Sequence, residues 1–455
     1  MKKITECRAC GSKALTPVFS LPSPEPRFDA LGRRKQGEAK FVLCDPSRDA
    51  GACGLLQSAY ARTPAPEMFE PSGRYAVNRS HLRQLATEAL EAISGRDCAA
   101  LDIGCNDGTL LSFYPRWVDR YGVDSAEVVE DIGDWAWTAK TGFPSAELDR
   151  AFGDKKFDIV TAASVLEYVA EPRAFFARIK SLLASDGVLA LETLYSPMTL
   201  TRTAVEPFVG GAVAVYSLGV LERLLRECEL KIFRGALTDK EGGSVRLYIT
   251  HADATEHDFD PWYERLARLW DEENSLSLRA RQPYQAFERR AGEAREAFRS
   301  LLADIAARGE SVHLLGAGPH SSAIYTLAGG DAGAIKAIVA EGGARNCPLV
   351  DLPVISETES RAAEPDYLLA PASLKREMME RWRESILLGA RMIVPTPEPH
   401  VIHTHNYASE LGKALAGRNN AGSVETLRTI LGAFGAPRLV AGKDAANSAG
   451  KAASG

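Results

Sequence analysis

No stretch of the 455 residues is apolar over anything near the roughly 20 residues that a membrane-spanning helix needs. The opening MKKITECRACGSK has two lysines but no apolar core of a secretory leader behind them, so a cytoplasmic protein is expected. Positive charge is not in excess: 54 Lys and Arg stand against 60 Asp and Glu, a net charge of -6. No basic field exists to draw the chain onto nucleic acid or anionic lipid, and the expected partner is a small molecule. Cysteine is scarce, eight in all, too few for a disulfide scaffold. What is present is ordinary for a soluble globular chain, 45% hydrophobic and 25% charged. The length exceeds what one core serves, about 250–300 residues, so two or three domains are expected. The oligomeric state is left open.

The cysteines are not spread evenly. Four of them fall in the first 53 residues, Cys7 and Cys10 in a Cys-x-x-Cys turn, then Cys44 and Cys53. Such a turn aims two sulfurs at one ion, and Gly11 and Gly54, each directly after a candidate ligand, permit tight backbone turns. Four thiolates would fill a tetrahedral zinc ion and leave no position for water, so the expected role is structural. Eight residues separate Cys44 from Cys53. Either a loop bulges between two ligands or Cys44 is not one. Without metal, the four thiols would sit in a Pro-rich, charge-rich lobe with little core to hold it.

From Arg74 the pattern becomes amphipathic and helical, with Leu82, Leu85, Ala86, Ala89, Leu90 and Ile93 at three- and four-residue steps before Gly95. Ala99 to Ile103 then reads as a strand, Gly104 to Gly108 as a glycine loop, and the following residues as the start of a helix. RYGVDS, FDIVTAASVLEYV and GVLALETL supply further strands, the last two separated by the amphipathic PRAFFARIKSLLASDG. Alternating strand and helix predicts an α/β fold with a parallel sheet covered on both faces. Residues 256–309, rich in Glu, Arg and Ala, read as a helical bridge. A second strand, glycine turn and helix begins at SVHLLGAGPHSSAI and leads into short strands that end near Ile402. The Ala-, Gly- and Ser-rich stretch 432–455 reads as a disordered tail. The expected divisions are a zinc lobe at 1–72, a cofactor domain at 73–255, the bridge at 256–310, a second Rossmann-like domain at 311–402, and a helical end with the tail at 403–455.

Charge separates the ligands that the first glycine loop could hold. Asp102 ends the strand and Asp107 lies in the turn, whereas a pyrophosphate needs bare amides and no carboxylate beside them. S-adenosylmethionine carries a sulfonium and an ammonium and no phosphate, so the carboxylates favour it. Gly104 and Gly108 let the backbone approach its amino acid portion. Asp124, at the end of the next strand, is placed to accept hydrogen bonds from both ribose hydroxyls.

The order CRAC, CGLLQ, LDIGCNDGTLL, EGGSVRLYI, LGAGPHSSAI, PDYLLAP and ARMIVPTP resembles the sugar C-methyltransferases that act on nucleotide-linked keto-deoxysugars, over about residues 5–402. The resemblance implies a zinc lobe packed on a class I S-adenosylmethionine domain, with a C-terminal Rossmann-like domain helping to build the sugar-nucleotide site. It implies Cys7, Cys10, Cys44 and Cys53 as zinc ligands, and Asp102, Gly104, Asn106, Asp107 and Asp124 around the cofactor. Glu241, Gly242, Gly243, Ser244 and Arg246 match a segment close to the substrate in that family. The family's Tyr-His-Glu-His run, whose histidine and tyrosine serve proton abstraction, is missing: alignment on Tyr216 and Ser217 puts Gly210, Gly211, Ala212 and Val213 there. None of these can move a proton, and alkylation of carbon requires a base.

Replacement groups are sought at strand ends, where open α/β sheets bind ligands. Tyr168, Glu167, Glu192 and Tyr195 occupy such positions, although Glu and Tyr there are as readily solvated or packed. Tyr216 and Arg246 are retained from the family pattern. His320, with Ser321 and Ser322, opens the helix after the second glycine turn and could add donors for a phosphate or carboxylate, or be part of a purely structural turn. His313 reads as a core residue, and His400, His403 and His405 lack a carboxylate or cysteine partner in sequence. The expected catalytic residues are Tyr216, Tyr168 and Glu192, with Gly243, Ser244, Arg246 and His320 on the acceptor. The expected activity is S-adenosylmethionine-dependent methyl transfer to a small anionic acceptor such as a nucleotide-linked sugar, by chemistry altered from sugar C-methylation. Oxygen or nitrogen acceptors depend largely on proximity and need only mild base assistance. The competing readings are a cofactor-binding partner that has lost transfer and an NAD enzyme using LGAGPHSS; against the latter, the acidic residue expected after that turn is represented only by Glu341, set late.

Overall fold

The computed structural model describes residues 2–28, 34–61, 70–93, 98–329, 333–340, 350 and 352–420. Gly95, Glu341 and the 432–455 tail lie outside the described residues. The chain begins with strands β1 (Leu15–Phe28), β2 (Arg34–Cys44) and β3 (Leu56–Ser58), followed by helix α1 (Ala76–Glu91). Next come β4 (Ala99–Ile103), β5 (Asp119–Asp124), β6 (Trp137–Lys140), α2 (Ala146–Phe152), β7 (Phe157–Ala163), α3 (Pro172–Leu182) and β8 (Leu183–Leu194). After them come α4 (Ser196–Thr201), α5 (Glu206–Val209), β9 (Ala214–Val215), α6 (Leu218–Glu227), β10 (Leu230–Thr238) and β11 (Ser244–His251). Helices α7 (Asp260–Ser275) and α8 (Gln282–Ala307) lead to β12 (Val312–Leu315), α9 (Pro319–Ala328), β13 (Ile335–Val339), β14 (Val354–Ile355) and α10 (Glu357–Ala362). The last elements are β15 (Tyr367–Leu369), α11 (Lys375–Arg381), α12 (Arg383–Leu387), β16 (Arg391–Val394), β17 (His400–Ile402) and α13 (Tyr407–Asn420).

The strands form three sheets. Seven run in the order β10-β11-β8-β7-β4-β5-β6, with β11 antiparallel to both neighbours. Chain order leaves β4 in two directions, through β5 and β6 on one side and β7 and β8 on the other, which opens a crevice at the carboxyl ends of β4 and β7. The sheet β14-β13-β12-β15-β16-β17 repeats the device around β12. The small sheet β1-β2-β3-β9 takes its last strand from beyond β8, so the thiol-bearing segment is tied to the main fold by backbone pairing. Phe19 and Phe41 of that sheet pack with Phe208 of α5 and Phe287 of α8 at ring separations of 4.9–5.4 Å. These buried rings join the lobe to the helical bridge.

One local expectation differs. The residues after the first glycine loop do not start a regular helix; Leu111–Phe113 form a single 3-10 turn. Pro115 follows two residues later and biases Tyr114 to extended backbone, observed at φ -71 and ψ 143, which stops the helix before it can grow. Among the described residues no helix is long and apolar enough to cross a membrane.

Candidate active site

A cavity of about 1340 Å³ opens where the carboxyl ends of the two larger sheets meet. Its lining includes Gly104 and Asn106 from the first glycine turn, Asp124 from β5, and Gly316, Gly318 and His320 from the second. At Gly104, φ is +76° and a Cβ would stand 2.4 Å from Val165 Cγ2, so only glycine lets the loop pass under that side chain. Asn106 also holds a positive φ of 51°. Its amide donates to Asp124 Oδ2 at 2.9 Å, and Ala126 N donates to Oδ1 at 2.8 Å, which fixes the carboxylate at the cavity wall.

Three residues expected at the cofactor stand behind the wall. Asp102 points away from the cavity to the Thr161 hydroxyl of β7, 2.6 Å away, because successive side chains of a strand alternate faces. Burial pushes its carboxyl up to about 7 despite that bond. Asp107 turns its oxygens to Gly73 N (2.8 Å) and Thr109 N (3.1 Å), and a Cβ at Gly108 would meet Ile132 and Trp135 at 3.1–3.2 Å, outside the cavity lining. They shape the loop from outside. The segment before α1 is clasped onto it: Ser72 N donates to Asn106 Oδ1 and Asn106 Nδ2 to Glu70 O.

Of the expected catalytic groups, Tyr168 and Glu192 line the cavity and Tyr216 does not. Tyr216 is fully buried, its hydroxyl has no partner among the described residues, and burial drives that hydroxyl's ionisation upward. Arg8 and Cys7 are among its charged neighbours, which places it under the thiol lobe. Gly210, Gly211, Ala212 and Val213 are buried as well and present no proton carrier. Of the residues expected near the acceptor, Glu241, Gly242 and His320 line the cavity, and the Nδ1 of His320 is unpartnered among the described residues. Gly243 lies where a Cβ would collide with Met198, Ser244 donates to Lys240 O, and Arg246 lies beneath the wall, bonded to Glu192.

Residues that sequence reasoning passed over are drawn in by contacts far apart along the chain. Glu70 accepts from Ala317 N at 3.2 Å and so occupies the second glycine turn with a carboxylate. His81 of α1 stands 2.5 Å from Glu192 Oε1. Burial alone would raise the Glu192 carboxyl, but His81 and Arg246 outweigh it and hold it down at about 2. Glu167, already singled out with Tyr168 at the strand end, accepts from the Thr193 hydroxyl (3.0 Å), and burial pushes its carboxyl up to about 8. Arg202, Lys240, Lys375 and Arg376 supply the lining's cationic side chains. The short helical turns Lys240–Gly242 and Ala372–Leu374 pack together, which gathers Lys240 and Lys375 at one junction.

In the N-terminal segment the Sγ atoms of Cys7, Cys10, Cys44 and Cys53 all lie within 4.8 Å of one another. The Cys7–Cys53 and Cys10–Cys44 separations are 3.6 and 3.4 Å. Zn–S bonds of about 2.3 Å in a tetrahedron require sulfurs about 3.8 Å apart, so this donor set, Cys44 included, fits a zinc ion. Gln57 Nε2 donates to Cys7 Sγ at 3.2 Å, a partner suited to a thiolate.

The strand order, the glycine turn that closes on the sheet and the acidic group at the end of β5 define a class I S-adenosylmethionine-dependent methyltransferase. Residues 74–233 match the methyltransferase domain family, and residues 239–397 match the family described as the C-methyltransferase C-terminal domain. The curated C-methyltransferase NovU of Streptomyces niveus is 26% identical over 424 residues, 88% of this chain and 98% of that protein. By these matches the chain is similar to C-methyltransferases along most of its length. Among solved structures, a S-adenosylmethionine-dependent methyltransferase from Clostridium acetobutylicum is similar over 39% of this chain and 93% of its own, at 13% identity and a TM-score of 0.32. The N-methyltransferase NodS from Bradyrhizobium japonicum matches over 40% of this chain and 90% of its own, at 17% identity and a TM-score of 0.31.

Proposed function

We propose that this methyltransferase acts on a small anionic acceptor, a nucleotide-linked sugar or a related biosynthetic intermediate, by chemistry altered from ordinary sugar C-methylation. The observation that carries the reading is a cavity whose lining holds both Asp124 with the first glycine turn and the lysines Lys240 and Lys375. Asp124, fixed by two backbone amides, and the close approach at Gly104 suit the ribose and the cationic amino acid portion of the cofactor. The cofactor, when bound, supplies an electrophilic methyl group on a cationic sulfur. Lys240 and Lys375, gathered where two short turns meet, suit an anionic group on the acceptor. Each is already engaged, Lys375 with Glu410 at 2.6 Å and Lys240 with Asn78 at 3.1 Å and Glu241 at 3.8 Å, so an arriving anion exchanges partners rather than meeting bare cations. The missing acid-base run supports a changed reaction, since transfer to oxygen or nitrogen asks less of a base than transfer to carbon.

Purified protein incubated with methyl-labelled S-adenosylmethionine and a panel of nucleotide-linked keto, hydroxy and amino sugars tests this, with the label located by mass spectrometry. Label on oxygen or nitrogen of a panel member is expected. Label on no acceptor, with S-adenosylhomocysteine still bound, would refute the acceptor reading and favour a cofactor-binding partner. The thiol cluster is read as a structural zinc site on the strength of its donor set and sulfur spacing. Metal analysis should return one zinc per chain, and stripping it should cost more than about 4 kcal/mol of stability, the range of a lost metal site. A metal-free protein that melts at the same temperature would contradict this.

A further inference from the structure

We propose that His81 is the group that takes the acceptor's proton, with Glu192 and Arg246 as the residues that position it. The inference rests on the reading above, that the cavity binds an acceptor. His81 lines the cavity from α1, a helix otherwise packed on the sheet through Leu85, Ala86 and Ala89. Its Nε2 lies 2.5 Å from Glu192 Oε1 and 3.2 Å from Arg246 Nη2. The second Glu192 oxygen accepts from Arg246 Nε at 2.9 Å, and Arg246 Nη1 reaches Glu88 Oε2 at 3.2 Å. The Tyr248 hydroxyl also donates to Glu88. Glu192 and Arg246 are each 1% exposed, so the arrangement is held from beneath by a closed network.

A carboxylate at that distance requires the proton on Nε2, and the weaker guanidinium contact does not compete with it. The Nδ1 lone pair is then bare, and it makes no hydrogen bond among the described residues. This is the orientation by which a carboxylate prepares a histidine as a base. The place is right as well. Ser164 N bonds to the Glu192 backbone carbonyl, and the neighbouring Val165 side chain stands over Gly104, so the pair lies beside the cofactor loop. In the step, His81 Nδ1 accepts the proton of an acceptor X–H bond, where X is carbon, oxygen or nitrogen. The X–H electrons form the X–CH3 bond, and the pair of the broken methyl–sulfur bond stays on sulfur. The imidazolium is balanced by Glu192 and returns its proton to solvent, one per methyl transferred.

The test joins kinetics to a readout that needs no acceptor. In protein labelled with nitrogen-15 histidine, the signal lost in H81N identifies His81 among the eight histidines. In alkaline buffer it should show a protonated Nε2 and a bare Nδ1, and E192Q should erase that preference. On whichever panel member is methylated, H81N should lower kcat by about 100-fold or more, the range of a lost general base, with S-adenosylhomocysteine affinity retained. H81A should regain part of its rate with added imidazole, and E192Q should lower kcat, leave KM in place and alter the pH profile. Melting temperature is followed throughout, and H81Q replaces any histidine variant that loses cofactor binding. An unchanged kcat in H81N, or a wild-type proton on Nδ1, would overturn the proposal. If the wild type methylates nothing while binding S-adenosylhomocysteine, the acceptor reading fails separately and the tautomer alone decides this one.

Discussion

Strand, glycine turn and helical segment occur twice in the chain, around Gly104 and around Gly316, and both turns open into the same cavity. Each has a backbone amide taken by a carboxylate, yet the two carboxylates are held differently. Asp124 belongs to the adjacent strand of the same sheet, and both its oxygens are fixed by backbone amides, Asn106 N and Ala126 N. Glu70 arrives from the segment before α1 and is steadied by side chains, Arg74 and Tyr75. The first turn is therefore acidic by construction, whereas the second is acidic only while that segment is docked. Glycine spacing alone does not select a ligand; the charge delivered by neighbouring elements does.

The largest expected effect separates the two carboxylates. Asp124→Ala should weaken S-adenosylhomocysteine binding by roughly 100-fold, since a hydrogen bond to a charged group contributes about 1.5–3 kcal/mol. Calorimetric titration measures it, and an equal loss in Glu70→Ala would erase the distinction between the turns. The buried carboxyls flanking the first turn, Glu192 and Glu167, sharpen it through pH. Glu192 is held at about 2 against an ordinary 4.5, so its contribution of about 3 kcal/mol is present above pH 4.5 and is lost as pH falls toward 2. Glu167 is raised to about 8, so its contribution is full below pH 4.5 and is lost as pH rises through 8. Denaturant titrations should show E192Q destabilised at pH 7 with the gap closing in acid, and E167Q gaining on the wild type as pH rises.

A smaller effect distinguishes the glycines. Gly104→Ala should cost about 2–3 kcal/mol, because the new Cβ meets Val165 Cγ2 at 2.4 Å on a positive-φ backbone. Gly316→Ala, whose nearest neighbour is Ser321 Oγ at 3.1 Å, should cost only about 1 kcal/mol. Equal melting temperatures for the two variants would contradict the packing difference. The smallest effect is expected from Glu70→Gln, a change of less than about threefold in S-adenosylhomocysteine affinity, since that carboxylate serves the other turn.

The parts of the site legible in the sequence are those whose signals are local. Cys7 with Cys10, Gly104 and Asp124 each announced themselves through spacing within one strand or turn, and the alternation of strand and helix gave the sheets. Asp102 and Asp107 were recognisable as carboxylates of the first turn, but the face each side chain takes is set by Thr161 and Gly73, which the local pattern does not contain. Tyr216 and Arg246 kept their places in the motif order while the fold withdrew both beneath the cavity wall. His81 meets Glu192 across 111 positions and Glu70 meets Ala317 across 247, and no periodicity or turn signal spans such distances.

The central claim is that one cavity holds the cofactor at its acidic end and an anion at its cationic junction at the same time. Isothermal titration of S-adenosylhomocysteine, followed by titration of a nucleoside diphosphate into the saturated complex, tests it most directly. The account predicts one equivalent of each per chain, the first lost in Asp124→Ala and the second in the Lys240→Ala, Lys375→Ala double variant. A nucleoside diphosphate that displaces S-adenosylhomocysteine, or that binds the double variant as well as the wild type, would contradict it.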